Sequence, residues 1–317
     1  MRVIISLTTL PCRLEKETII PTLKSVNKQS RKADAIYLGL PKISRRLGTP
    51  YPEASDEIKK LCTIVQLEKD YGPVCKILAG LYMENDPSTI IITIDDDNLY
   101  PEDFIEKMLE KHQEKPKVAI GSSGAFIGKF PGYFTYIRNK PSERYNYWWG
   151  PPIPPEGIKT DILCGYSGVL YTRNMFPTIQ LTYPQDGSGR VFQTDNIKKE
   201  FLQIPLKNED LFLHDDVYIS SYLNSKGIER RLYIMPEVIL TEQHESGLSD
   251  DSWKFVQSFV RAVKASHDHG LIREKTHVKP IHTIGGRVLF FIMLAIILII
   301  VLIYIYRILY SSSSRKK

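Results

Sequence analysis

The chain has 317 residues, of which 43% are hydrophobic, 25% charged and 10% aromatic, with a formal net charge of +6. That is room for one large domain or two ordinary ones around a substantial core, and it excludes a disordered or low-complexity chain. The positive charge is modest and mixed with acidic residues, so composition gives no ground for a nucleic-acid partner. Four cysteines, at 12, 62, 75 and 164, form no CxxC pair and read as buried, reduced thiols. The chain has no Asn-x-Ser/Thr acceptor and opens on a strand in place of a signal peptide. These features set the expectation of a catalytic domain in a reducing compartment, the cytosol.

In chain order, MRVIISLTT is a first strand. ETIIPTLKSVNKQ (17–29) carries Ile19, Ile20, Leu23 and Val26 at helical spacing. AIYLGL (35–40) and CTIVQL (62–67) read as strands. Gly72 and Pro73 open a helix over 73–85, PVCKILAGLYMEN, and the β-branched run IIITI (90–94) is a strand buried on both faces. PEDFIEKMLEKHQ (101–113) is a helix with Pro at its start and acids in its first turn, and VAIGSSG (118–124) is a strand. Farther on, RLYIMPEVIL (231–240) is another strand. Strand and helix alternate as an α/β sheet requires, with no internal repeat before the serine-rich tail.

The strand at 90–94 ends in three aspartates, Asp95, Asp96 and Asp97. Adjacent carboxylates repel, so they need either solvent in a turn or a positive partner. Their place favours the second, because ligands of such sheets bind beyond the carboxyl ends of strands. Lys76 lies at a glycine-led helix start whose N-terminus attracts phosphate, although a surface lysine would look the same. CGYSGVLY (164–171) puts small residues before a strand, which permits close backbone approach to a ligand or marks a bulge. In LFLHDDVYISSYL, Asp215 and Asp216 open a helix-spaced run, as a cap or as chemical groups.

The series SLTTLPCR, DYGPVCK, TIDDDNLYP, CGYSGVLYTR and LHDDVYIS resembles the GT-A glycosyltransferases, close to the family 2-like group, over about residues 1–248. The resemblance implies a mixed, Rossmann-like α/β sheet flanked by helices. It implies a nucleotide-sugar donor (UDP- or GDP-sugar), a divalent cation (Mn²⁺ or Mg²⁺) and a hydroxyl acceptor on a glycan, lipid or protein. Asp97 would be the main metal ligand, Asp95 would face ribose or metal, and Asp96 could do either. Lys76 would hold the nucleotide, and Thr8 and Arg13 would meet its base. Asp216 would be the general base, with Asp215 as neighbour or substitute, giving inversion at the anomeric carbon. His244 would be a further metal ligand, against the ordinary reading of a solvated histidine. The histidines at 267, 269, 277 and 282 lack metal-site spacing and read as solvated. Trp148 and Trp149, in YNYWWGPPIPP, suit either sugar stacking or a membrane interface.

Residues 288–306, VLFFIMLAIILIIVLIYIY, carry no charge, Gly or Pro. At 1.5 Å rise per residue they nearly span a hydrocarbon core of about 30 Å, and a soluble helix would show a polar face that this one lacks. The expected organisation is a GT-A domain over 1–250, a helical juxtamembrane linker over 251–286, a transmembrane helix over 287–310 and a short basic tail over 311–317. Lumenal relatives usually carry an N-terminal anchor, so a C-terminal one favours a membrane enzyme facing the cytosol. Two rivals stand beside this reading: another metal-dependent, phosphate-processing enzyme, and a membrane-anchored binding or scaffold protein on a degenerate transferase fold. The joint presence of the three aspartates, Lys76 and HDDV argues against the scaffold.

Overall fold

The computed structural model describes residues 1–127, 134–137, 157–178, 180–182, 191–193, 195–204, 207–241 and 252–272. Its centre is an eight-stranded mixed sheet. The strands, in chain order, are β1 (Val3–Thr8), β2 (Ala35–Pro41), β3 (Thr63–Leu67), β4 (Ile90–Thr93), β5 (Ala119–Gly121), β6 (Ile158–Lys159), β7 (Val169–Thr172) and β8 (Arg230–Leu232). Across the sheet they lie in the order β3-β2-β1-β4-β7-β5-β8-β6. The first four run parallel, and β7 enters antiparallel between β4 and β5.

Period-two alternation assigns each side chain to a face. Along β1, Val3, Ile5 and Leu7 join one core and Ile4 the other. Along β4, Ile90 and Ile92 join the first and Ile91 the second. A strand packed on both faces needs an unbroken apolar run, and IIIT supplies it. Helices cover both faces: α2 (Ile20–Asn27) and α4 (Phe104–Glu114) lie on one, and α3 (Cys75–Met83) and α5 (Asp215–Ser225) on the other.

The chain winds from β1 outward through β2 and β3, then returns to place β4 on the other side of β1. The carboxyl ends of β1 and β4 therefore lie together, with Ser6 beside Thr93. At such a switch point the outgoing loops diverge and leave a crevice.

Several expected elements differ in extent. The helix expected over 17–29 divides into α1 (Pro11–Glu15) and α2, with Glu17 between them at φ 57. The helix expected from Pro101 begins at Phe104. The strand expected over 118–124 yields β5 and a separate strand, Gly124–Ile127, which belongs to a second, three-stranded sheet. The strand expected over 231–240 ends at Leu232, and Ile239–Leu240 instead pairs with Asn98–Leu99. A further helix, Asp56–Leu61, is capped by the Ser55 hydroxyl, which accepts from the backbone N–H of Ile58.

The folded unit continues past residue 250. Helix α6 (Ser252–Asp268) buries Phe259, Ala262 and Val263 in the core beside α5, so this part of the expected linker packs as part of the domain. Among the described residues no helix is long and apolar enough to cross a membrane. The apolar segment 288–306, Trp148, Trp149 and His244 lie outside the described residues.

Candidate active site

The first group forms where β1 ends. The Thr8 hydroxyl donates to the carbonyl of Gly39 on β2, at 2.7 Å, which closes the seam between the strands. Pro11 starts α1, and this short turn carries Arg13 back beneath the strand ends, where it is buried. Arg13 Nη1 lies 2.5 Å from Asp96 Oδ1 and 3.2 Å from Asp97 Oδ2. The Thr9 hydroxyl donates to the other Asp96 oxygen, and the Thr22 hydroxyl donates to the Asp96 carbonyl at 2.9 Å. Burial raises the Asp96 pKa, with the Arg13 charge and the Thr9 hydrogen bond opposing it. Burial works against the Arg13 charge, but Asp96 and Asp97 more than offset it. Asp96 thus turns inward, where the resemblance implied a ligand contact.

The second group forms around Lys76. Gly72 adopts φ +67, and a Cβ there would lie 2.3 Å from the Phe212 carbonyl, so only glycine permits this helix entry. In the first turn of α3, the buried Lys76 places Nζ 2.5 Å from Asp95 Oδ1 and 3.0 Å from Asp215 Oδ2. Burial opposes its charge, yet Asp215, Asp95 and Asp216 leave its pKa raised well above the ordinary lysine value.

Asp215 and Asp216 form the first turn of α5, behind His214, which occupies the N-cap position without a side-chain cap bond. Asp216 Oδ1 accepts from the backbone N–H of Gly165 at 2.8 Å. A Cβ on Gly165 would sit 2.9 Å from that oxygen and 3.0 Å from Lys76 Nζ, so the bare glycine makes the hollow they share. Burial, then the Asp215 charge, raises the Asp216 pKa well above the carboxylate range, against the pull of Lys76. The Asp215 pKa is also raised by burial, with Lys76 countering.

Tyr100, Asn98 and Tyr166 tie the two groups together. The Tyr100 hydroxyl accepts from the Asp95 N–H at 3.1 Å and donates to the Tyr166 carbonyl at 3.1 Å. Asn98 Nδ2 donates to the same carbonyl at 2.9 Å. The aspartate turn and the Gly165–Ser167 turn are therefore one hydrogen-bonded unit. Sequence reasoning missed Thr9, Asn98, Tyr100 and Tyr166. Asn98 and Tyr100 stood in the quoted TIDDDNLYP, but nothing in their spacing reveals a partner about 66–68 residues away.

Of the expected site residues, Arg13, Lys76, Asp95, Asp96, Asp97, Asp215 and Asp216 gather at this crevice, and Thr8 stands at its edge, its hydroxyl engaged by β2. Thr241, three residues before His244, donates its backbone N–H to the Asp97 carbonyl at 2.8 Å. Among the described residues no group of three or more His, Cys, Asp or Glu side chains is gathered as a complete metal cage. Asp95 and Asp97 nonetheless keep 30% and 21% of their side chains exposed, whereas Asp96 keeps 10%. Two outward carboxylates of this kind fit a hard cation that takes its other oxygens from a diphosphate.

A mixed sheet flanked by helices, with carboxylates at its switch point, defines a GT-A-like α/β fold. Residues 9–166, just under half of the chain, match the model of Glycosyl transferase family 2, which supports a glycosyltransferase. Among solved structures, one described as the crystal structure of GalNAc-T7 with UDP, GalNAc and Mn²⁺ is similar at a TM-score of 0.48 and 11% identity. The match covers 83% of this chain and 48% of that one, so the chain spans about half the length of the structure it matches. No curated protein matches the chain.

Proposed function

We propose that the protein is a metal-dependent, inverting glycosyltransferase that moves a sugar from a UDP- or GDP-sugar to a hydroxyl on a glycan, lipid or protein. The observation that carries this reading is that Lys76 Nζ joins Asp95, in the same turn as the partly exposed Asp97, to the bare Gly165 hollow that the Asp216 carboxylate shares. Asp95 and Asp97 would hold Mg²⁺ or Mn²⁺, with His244 a candidate third ligand near Thr241. Bound there, the cation supplies Lewis-acid neutralisation of charge on the departing diphosphate.

The remaining chemistry belongs to the chain. Arg13 and Asp96 brace the turn that aims Asp97. The Gly165 N–H fixes one Asp216 oxygen, leaving the other to take the proton of the acceptor hydroxyl. A raised carboxyl pKa suits that role, because a stronger base accepts the proton more readily near neutrality. Attack from the Asp216 side, opposite the diphosphate, displaces it directly and inverts the anomeric carbon.

A thermal-shift screen against UDP- and GDP-sugars, with and without Mn²⁺ or Mg²⁺, tests the donor. NMR of the product's anomeric proton tests the outcome. Stabilisation indifferent to metal, or a retained anomer, would overturn the corresponding claim.

We also propose that residues 288–306 anchor the protein in a membrane with the catalytic domain in the cytosol. The uncharged apolar run supports the anchor, and four cysteines that form no disulfide suit a reducing compartment. Carbonate extraction and protease protection on sealed vesicles test it. Release by carbonate or a protected domain would sink it.

A further inference from the structure

The resemblance implied that Lys76 holds the nucleotide, but the structure gives it other work. Its side chain is only 6% exposed, and its ammonium lies between two carboxylates from distant parts of the chain. Asp95 follows β4 on the proposed donor side, and Asp215 opens α5 beside the proposed base. The bare Cα of Gly165 closes the hollow around the ammonium.

We infer that Lys76 is a positioning residue, a built-in cation that occupies Asp95 while the metal site is empty and passes wholly to Asp215 when a metal ion takes Asp95. This rests on the metal-dependent reading above. An ammonium and a divalent cation compete for the same carboxylate, and Asp95 Oδ1 already has its ammonium 2.5 Å away. The freed ammonium need not travel, because Asp215 Oδ2 stands 3.0 Å from it. Loading the donor side would then tighten the hold on the helix start that carries Asp216, linking the two halves of the site through one charge.

The test is a Mn²⁺ titration of the purified full-length chain without nucleotide, with free Mn²⁺ read by electron paramagnetic resonance. Lys76→Met alone would strand two buried carboxylates, so it is placed on Asp215→Asn, which removes one of them. Asp215→Asn should weaken Mn²⁺ binding several-fold, because the ammonium is then left to Asp95. Adding Lys76→Met should reverse the loss and bring affinity about tenfold above that of Asp215→Asn, since the competitor is gone. A lysine with a purely structural role would give the opposite sign, because loosening the site lowers affinity. Lys76→Arg, which keeps the charge and is the second route should the double variant unfold, should bind Mn²⁺ no more tightly than the wild type. Unchanged or weaker binding in the folded double variant, or tighter binding in Lys76→Arg, overturns the inference. Asp95→Asn is the control on its foundation. If that change leaves Mn²⁺ binding intact, the metal-dependent reading itself has failed; if it weakens binding while the Lys76 variants misbehave, only the inference falls.

Discussion

The backbone N–H of Gly165 holds Asp216 Oδ1 at 2.8 Å, although Asp216 stands in the first turn of a helix whose own N–H groups are close by. A residue serving mainly as a cap would have turned to the helix. Asp216→Asn keeps an oxygen for Gly165, so the fold should be preserved and donor binding should stay near wild type. Transfer should fall by about 10²-fold or more. Asp215→Asn should instead lower stability, because it removes a buried partner of Lys76. Turnover and melting temperature on both variants decide the matter; near-normal transfer by Asp216→Asn would shift the base to Asp215.

Gly165→Ala probes the same contact from the other side. Its methyl would lie 2.9 Å from the Asp216 oxygen and 3.0 Å from Lys76 Nζ, so one of these charged groups must move. A displacement of about 1 Å at a reacting group can cost on the order of 10²-fold in rate. The expected outcome is a fall in kcat of that order with a stability loss of about 1–3 kcal/mol. Full activity in Gly165→Ala would show that the hollow has room the geometry denies it.

Raised pKa values give the reaction a pH signature. Burial and the neighbouring Asp215 push the Asp216 carboxyl well above the ordinary range, and a base must be unprotonated to act. The acid limb of kcat should therefore lie above the usual carboxylate range, with activity rising as pH rises through it. A limb near pH 4, where an ordinary carboxylate titrates, would contradict the buried setting.

Arg13 is the buried counter-charge of Asp96 and Asp97. Arg13→Met should destabilise by about 3–5 kcal/mol, because it leaves a buried carboxylate unpaired. Arg13→Lys should lose less, since it keeps the charge without the fork. Urea denaturation measures both. A contact to the nucleobase alone would predict weaker donor binding with stability unchanged.

His214 provides a separate acid sensitivity. Its Nε2 lies 2.7 Å from the Ser258 hydroxyl on α6, and burial lowers its pKa to about 4. The folded pKa lies below the unfolded value of about 6.5, so the unfolded chain binds the extra proton. Stability is therefore complete above about pH 6.5 and declines as pH falls toward about 4, by roughly 1–3 kcal/mol. His214→Gln, which does not titrate, should flatten that part of the curve in acid melts. An unchanged slope would assign the acid loss to the carboxylates.

How much of this was legible beforehand follows from the range of the interactions. The four parallel strands announced themselves through short apolar runs, because burial on both faces constrains every position of β4. The gathering of Asp95, Asp97, Lys76 and Asp216 also followed from motif order. The partners did not. Asp96 looked like any member of its triplet, yet Arg13, Thr9 and Thr22 claim it from earlier turns. The resemblance supplies an incoming cation against the repulsion of three aspartates, whereas Arg13 and Lys76 already offset much of it from within the chain. The packing of α6 was hidden as well, since an amphipathic helix resembles a linker until its apolar face meets a neighbour.

The crevice has one further consequence, for how molecules arrive. Among the described residues carboxylates outnumber the cations paired with them: Asp95, Asp96, Asp97, Asp215 and Asp216 stand beside Arg13 and Lys76. A cleft lined by one sign focuses its field outward into the solvent and steers diffusing ions before contact. Here the steering favours cations and slows a bare nucleotide diphosphate. Association of such a ligand should therefore speed up with added salt, which screens the repulsion, whereas an attractive basic pocket would show a decline. Divalent ions at equal ionic strength should speed it further, so the rate of encounter carries a record of this charge imbalance.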